Sequence, residues 1–202
     1  MSDDTANAPE NGAQSANSQS GANPASDAQG GDATRREPPY RIHAQYVKDL
    51  SVENPRAPEC FMDPQIRQAR SQIEVDITTR SLGKRLAEVL VVATVKARIE
   101  PDTPNERLVY LVELSYGAAV EIGAVPEETV EPLLHVEVPR LLFPYIRQIL
   151  SVASQDMGQN LLQVPVIDFL GLYRWKKQEG TIDGAVARQV AAETASGAPA
   201  SV

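Results

Sequence analysis

Pro139–Ser154 reads PRLLFPYIRQILSVAS, and the fold turns on how this stretch is placed. Its spacing predicts a helix. Leu141, Leu142, Phe143, Tyr145, Ile146, Ile149, Leu150, Val152 and Ala153 cover well over half of the circumference. A helix packed on one side shows a single apolar stripe at i, i+3, i+4 and i+7. One face can therefore pack on the chain's own core while a second is left for another subunit. Leu142, Ile146, Ile149, Leu150 and Ala153 are the candidate residues of that oligomer interface. A central helix buried on all sides of a monomer has the same periodicity and stays open at this point. Pro139 and Pro144 are expected in the first turn, where backbone N–H groups lack intrahelical acceptors.

Working outward, strands precede this helix. Arg41 to Glu53 is extended in character, and its alternation shifts phase at Lys48-Asp49, which suggests a bulge or twist. Asn54-Pro55-Arg56-Ala57-Pro58 reads as a stiff extended connector. Ile73, Val75 and Ile77 alternate with Glu74, Asp76 and Thr78, as in a half-buried strand. Leu86 to Ile99 and Arg107 to Ile122 are two longer strands joined by a Pro-Asp-Thr-Pro-Asn turn. Short connections imply antiparallel pairing. Gly123 to Val138 is expected to be irregular. A second helix runs from Ile167 to Gln178, starting near Asp168 or Pro165 and ending on Lys176 and Lys177, which complement its dipole. The order predicts an α+β fold: a four-stranded antiparallel sheet with two helices on one face.

The ends differ in composition. Residues 1–37 are polar and acidic with almost no large apolar side chain, so an unfolded N-terminal tail is expected. Residues 38–179 are expected to form the folded domain, and 180–202, rich in Ala, Gly, Ser and Thr, a flexible C-terminal tail, with a fragile helix over Ala185 to Thr194 as the second reading. Over 202 residues, 27 acids against 19 Lys and Arg give a net charge of −8. That field opposes nucleic-acid binding, which needs a basic footprint. It suits a basic partner. The single cysteine, Cys60, excludes an intrachain disulfide and fits a reducing compartment. No secretory signal and no run of ~18 apolar residues is present, so a cytoplasmic protein without membrane insertion is expected.

No catalytic constellation emerges. His43 and His135 lack a second ligand at metal-binding spacing, and Cys60 has no local base. The glycines form neither a phosphate loop nor a dinucleotide fingerprint. Neither metal nor cofactor is expected, and no enzyme. What remains are surfaces. Glu113 interrupts the apolar run Val109 to Leu114, and Leu111 projects on its side by the period of two. With Asp49 and Glu53 these side chains suggest a docking patch for a basic, partly apolar partner; a merely solvated face fits the same pattern.

These residues carry a resemblance. Tyr46-Val47-Lys48-Asp49-Leu50-Ser51-Val52-Glu53-Asn54-Pro55 with Ala57-Pro58, then Leu111-x-Glu113, then Leu142-Phe143-Pro144-Tyr145-Ile146-Arg147 resemble the bacterial protein-export chaperone family SecB. The similarity spans about Tyr40 to Trp175. It implies two chains pairing into a dimer and two dimers joining through their long helices, a homotetramer. It also implies unfolded preproteins and the SecA ATPase as partners, with no nucleotide used. Residues matching the family's SecA-docking surface are Asp49, Glu53, Leu111 and Glu113. Two departures stand out: Arg56 to Gln72 lacks a tryptophan often found there, and Gly158 to Pro165 replaces an aromatic-proline pattern. A client groove is expected between the connector and the helices, with Phe61, Met62, Ile66, Tyr145, Leu161, Leu162, Phe169 and Leu172 as candidates. Two rivals remain: an adaptor oligomer docking a folded basic partner, and a hydrolase or transferase on an α+β scaffold.

Overall fold

The computed structural model describes residues 38–160, 162–182 and 184–196. The expected N-terminal tail, 1–37, and the groove candidate Leu161 lie outside the described residues. Strands β1 (Tyr40–Glu53), β2 (Arg70–Gly83), β3 (Leu86–Ile99) and β4 (Arg107–Ile122) form one antiparallel sheet in the order β1-β4-β3-β2. Hairpins join β2 to β3 and β3 to β4, whereas residues 54–69 carry the chain from one edge of the sheet to the other, a Greek-key path. Alternation assigns the faces. Ala87, Val89, Val91, Ala93, Val95, Ala97 and Ile99 of β3 are buried toward the helices, beside Val112, Leu114, Ala118 and Val120 of β4. β1 departs from regular pairing between Val47 and Asp49, at the expected phase shift.

Asn54 to Pro58, expected to be a stiff extended connector, turns instead: the Ala57 amide donates to the Asn54 carbonyl at 3.2 Å and the Cys60 amide to the Arg56 carbonyl at 2.8 Å, and the connector continues to residue 69. It contains two short 3-10 turns, Glu59–Phe61 and Pro64–Gln68, the second capped by Asp63, whose carboxylate accepts from the Gln65 amide at 2.8 Å.

The segment expected to be irregular is helical. Helix α1 (Glu127–Pro132) passes through a π turn (Leu133–Glu137) into α2 (Val138–Asp156). Pro139 and Pro144 thus follow earlier helical turns instead of opening the helix. A proline interrupts the ordinary hydrogen-bond ladder, and the π turn lies between Pro132 and Pro139. His135 makes use of the rearrangement: its ring Nδ1–H donates to the Glu131 carbonyl at 3.1 Å. Leu142, Ile146 and Leu150 are fully enclosed against the sheet. Each such side chain contributes about 1.5–3 kcal/mol of burial.

Helix α3 (Phe169–Gln178) begins at Asp168, whose carboxylate accepts from the Gly171 amide at 3.0 Å. Phe169 packs edge-to-face on Phe143, centroids 5.5 Å apart. The expectation of a flexible tail from 180 is corrected by α4 (Ala185–Ser196). Ala187, Val190, Ala191 and Thr194 recur at helical spacing and are buried, and Glu193 accepts from the Arg85 amide at 3.0 Å. Small side chains let this helix approach closely enough to dock without a large apolar stripe. No helix among the described residues is long and apolar enough to cross a membrane.

Candidate functional site

The face of the sheet away from the helices carries the acids. Cross-strand register places Glu53 opposite Leu111, Ser51 opposite Glu113, and Asp49 opposite Ser115. Paired residues project to the same side of a sheet. Asp49, Glu53, Leu111 and Glu113 therefore share one face, with the three carboxylates exposed and Leu111 half-buried among them. Among the described residues, none of these three carboxylates makes an ion pair or hydrogen bond. The same face also holds cations. Lys48 reaches Glu88 at 2.9 Å, Arg80 reaches it at 3.1 Å, and Lys96 points at Glu74 from 3.9 Å. The Tyr46 hydroxyl donates to Glu88 at 2.5 Å. Burial, then the Glu88 carboxylate, pushes the Tyr46 phenol up to about 12. Sequence reading missed this cluster. The available signal was Glu88 itself, a carboxylate at the outward phase of β3 ahead of the apolar Leu90 and Val92.

A second feature lies where the connector meets the end of α2. Two adjoining hollows of about 210 and 170 Å³ share Ile66, Gln159 and Asn160. Phe61 and Met62 line one, and Leu162 the other. Phe61 is 55 % exposed and Met62 86 %. The walls are tied together: Asn54 Nδ2 donates to the Met157 carbonyl at 3.2 Å, and Gln159 Nε2 approaches Cys60 Sγ at 3.7 Å. Gly158 has a positive φ of 73°, and a Cβ there would lie 2.9 Å from the Phe61 ring, so only glycine fits beneath it. Cys60 is buried, with the Asn54 and Gln159 amides as its hydrogen-bond neighbours.

Not all groove candidates gather here. Phe61, Met62, Ile66 and Leu162 do, with Leu162 as a mostly covered wall. Phe169 is corrected to the core, enclosed against Phe143. Leu172 is half-buried and packs on the same core. Tyr145 is corrected to a different surface: its ring stacks on Tyr116 with centroids 6.3 Å apart, beside β1.

The interface candidates on α2 also need revision. Leu142, Ile146, Leu150 and Ala153 point into the protomer's own core, and Ile149 is half-buried against it. The apolar side chains left outward are Leu141, Tyr145 and Val152, each close to half exposed. They sit at the spacing of a single helical stripe. Leu50 and Val52 of edge strand β1 are also exposed.

The preprotein translocase subunit SecB family matches residues 33–180. The protein-export protein SecB of Maricaulis maris is 38% identical over 143 residues, 71% of this chain and 80% of that protein. Those of Granulibacter bethesdensis and Dechloromonas aromatica are 35% and 37% identical, over 73% and 71% of this chain and 90% of each relative. Among solved structures, a SecB-like chaperone from Mycobacterium tuberculosis, in complex with a ChAD peptide from an antitoxin, aligns with a TM-score of 0.52. It covers 64% of this chain and 91% of that one at 13% identity, a likeness of fold. With a family match over most of its length and relatives at this level of identity, the chain belongs to the SecB family of protein-export chaperones.

Proposed function

We propose that this protein is an ATP-independent holdase of the cytoplasm that binds unfolded preproteins, keeps them competent for export and delivers them to the SecA motor. The SecB family is one of chaperones, not enzymes. The observation that carries the holding step is the exposed apolar wall of Phe61 and Met62 over the trough at Ile66 and Leu162. A native protein keeps its apolar segments inside, so such a wall selects unfolded chains and shifts the client equilibrium by mass action. Methionine repacks around varied side chains, which suits many clients. Burying ~400 Å² of client apolar surface yields roughly 10 kcal/mol before ordering costs.

Delivery is supported by the outer face, where Glu53 and Glu113 flank Leu111, Asp49 lies further along β1, and all three acids lack cationic partners among the described residues. A basic tail of SecA is complementary in charge. Assembly as a dimer of dimers is supported by the outward stripe on α2 and by the edge position of β1. An unprotected edge strand pairs readily with another strand. Light scattering from a reduced, unfolded client is the test. The purified protein should slow aggregation without nucleotide and leave the folded client unbound; aggregation at the unassisted rate contradicts the proposal.

A further inference from the structure

The bulge between Val47 and Asp49 puts two successive side chains, Lys48 and Asp49, on the outer face of the sheet. Opposite charges so placed are free to close on each other, which would cancel one of the three docking carboxylates. They do not. Lys48 Nζ donates to both oxygens of Glu88, at 2.9 and 3.0 Å. Glu88 belongs to β3, and β4 lies between it and β1. Arg80, directly opposite Glu88 on β2, closes on it from the far side at 3.1 Å. The Tyr46 hydroxyl completes the shell at 2.5 Å.

The local sequence makes this shell possible. Tyr46 crosses β4 at Gly117, where a Cβ would lie 3.0 Å from the tyrosine ring and 3.3 Å from Leu90. A side chain at 117 would lift the ring and break its reach to β3. Under Tyr46, Lys48 and Arg80, Glu88 is only 6 % exposed. The Tyr46 hydrogen bond, helped by Lys48 and Arg80 against the desolvation of burial, holds its carboxyl below the usual carboxylate range. An ionised carboxylate shielded from water attracts a cation more strongly than an exposed one does. Glu88 therefore outcompetes Asp49 for Lys48.

We infer that Glu88 is a positioning residue for the acidic docking face: it draws Lys48 across β4 and so leaves Asp49 open to a basic partner. The inference rests on the docking reading above and adds to it a residue that touches no partner.

The test is calorimetry of the full chain against a synthetic peptide of the basic SecA tail at low salt. Glu88→Gln keeps the shape of the side chain and removes its hold on Lys48; affinity should fall about fivefold. Adding Lys48→Gln should restore it to within about twofold. Adding Arg80→Gln instead makes the same change in net charge but should leave affinity low, because Arg80 stands on β2 at the opposite edge. Equal rescue by both would mean that net charge alone is at work and would overturn the inference. An Asp49→Asn/Glu53→Gln/Glu113→Gln variant reports on the underlying reading. If it binds as the wild type does, docking itself fails. If it weakens while Glu88→Gln stays at wild-type affinity, only the role of Glu88 fails. Should Glu88→Gln not fold, Lys48→Gln alone decides. Affinity within about twofold of wild type supports the sequestered lysine, and a rise of about fivefold or more contradicts it.

Discussion

Replacing Leu141 and Val152 together by glutamate tests whether the outward stripe of α2 is a subunit interface. Leu141 is 48 % exposed, Tyr145 49 % and Val152 46 %. Full burial of such a side chain stabilises by about 1.5–3 kcal/mol, so covering the remaining half contributes roughly 1 kcal/mol each. Two helices facing one another through these three residues would gain roughly 6 kcal/mol from this stripe. The double substitution removes about two-thirds of that gain and buries carboxylates without partners, which costs several kcal/mol more. The dissociation constant should rise by about a thousandfold or more. Light scattering coupled to gel filtration at micromolar concentration should then show dimers for the variant and tetramers for the wild type. The protomer fold should persist, because both side chains already face water within it. Leu150→Glu is the contrast: that position is fully enclosed, and the protomer itself should unfold. A Leu141→Glu/Val152→Glu protein that remains tetrameric would refute the reasoning.

Other consequences follow from single features. Burial holds the His135 imidazole below its ordinary value, reinforced by Lys177, with the Glu131 carbonyl and carboxylate opposing. A lowered folded-state value means the stability from neutral His135 is complete above the unfolded value of ~6.5 and lost as pH falls through the folded one. The urea midpoint should drop between about pH 7 and pH 5.5, and less so in His135→Asn, which keeps a donor for Glu131; identical profiles would contradict this. Phe61→Ser/Met62→Ser should weaken retention of an unfolded client by roughly tenfold or more while SecA binding and folding are kept, as gel filtration and calorimetry would show; unchanged retention would place the client elsewhere. Gly117→Ala should cost about 1–3 kcal/mol in urea unfolding through its clash with Tyr46, and wild-type stability would mean the ring moves aside freely.

Much of the fold was legible because period two is unambiguous over long strands. β3 and β4 run over the residues that alternation assigned, and the phase shift at Lys48-Asp49 is a bulge. Asp168 caps α3 because its carboxylate reaches the Gly171 amide. Faces of the long helix were harder. Leu142, Ile146, Leu150 and Ala153 form one apolar stripe, and Leu141, Tyr145 and Val152 form another beside it. Nothing in spacing alone says which stripe meets the sheet; the packing of Leu142 and Ile146 decides it. Helix α4 was readable only as a fragile helix set second to a mobile tail, because its buried side chains are mostly Ala and Val, whose stripe barely exceeds the background of an Ala-rich tail. The four docking candidates came together on one face because strand register is a short-range rule. The trough drew on residues from the connector and the far end of α2, a juxtaposition set by tertiary packing, so Tyr145, Phe169 and Leu172 landed elsewhere.

Titrating SecA into the Asp49→Asn/Glu53→Gln/Glu113→Gln variant, with client retention followed in parallel, tests the account most directly. Each exposed carboxylate alone contributes little. Acting together around Leu111 they should set the affinity, and their effect should shrink as salt rises. The account predicts at least about a tenfold loss of SecA affinity with client retention unchanged. Wild-type affinity in the triple variant, or a parallel loss of client binding, would contradict separate surfaces for holding and delivery.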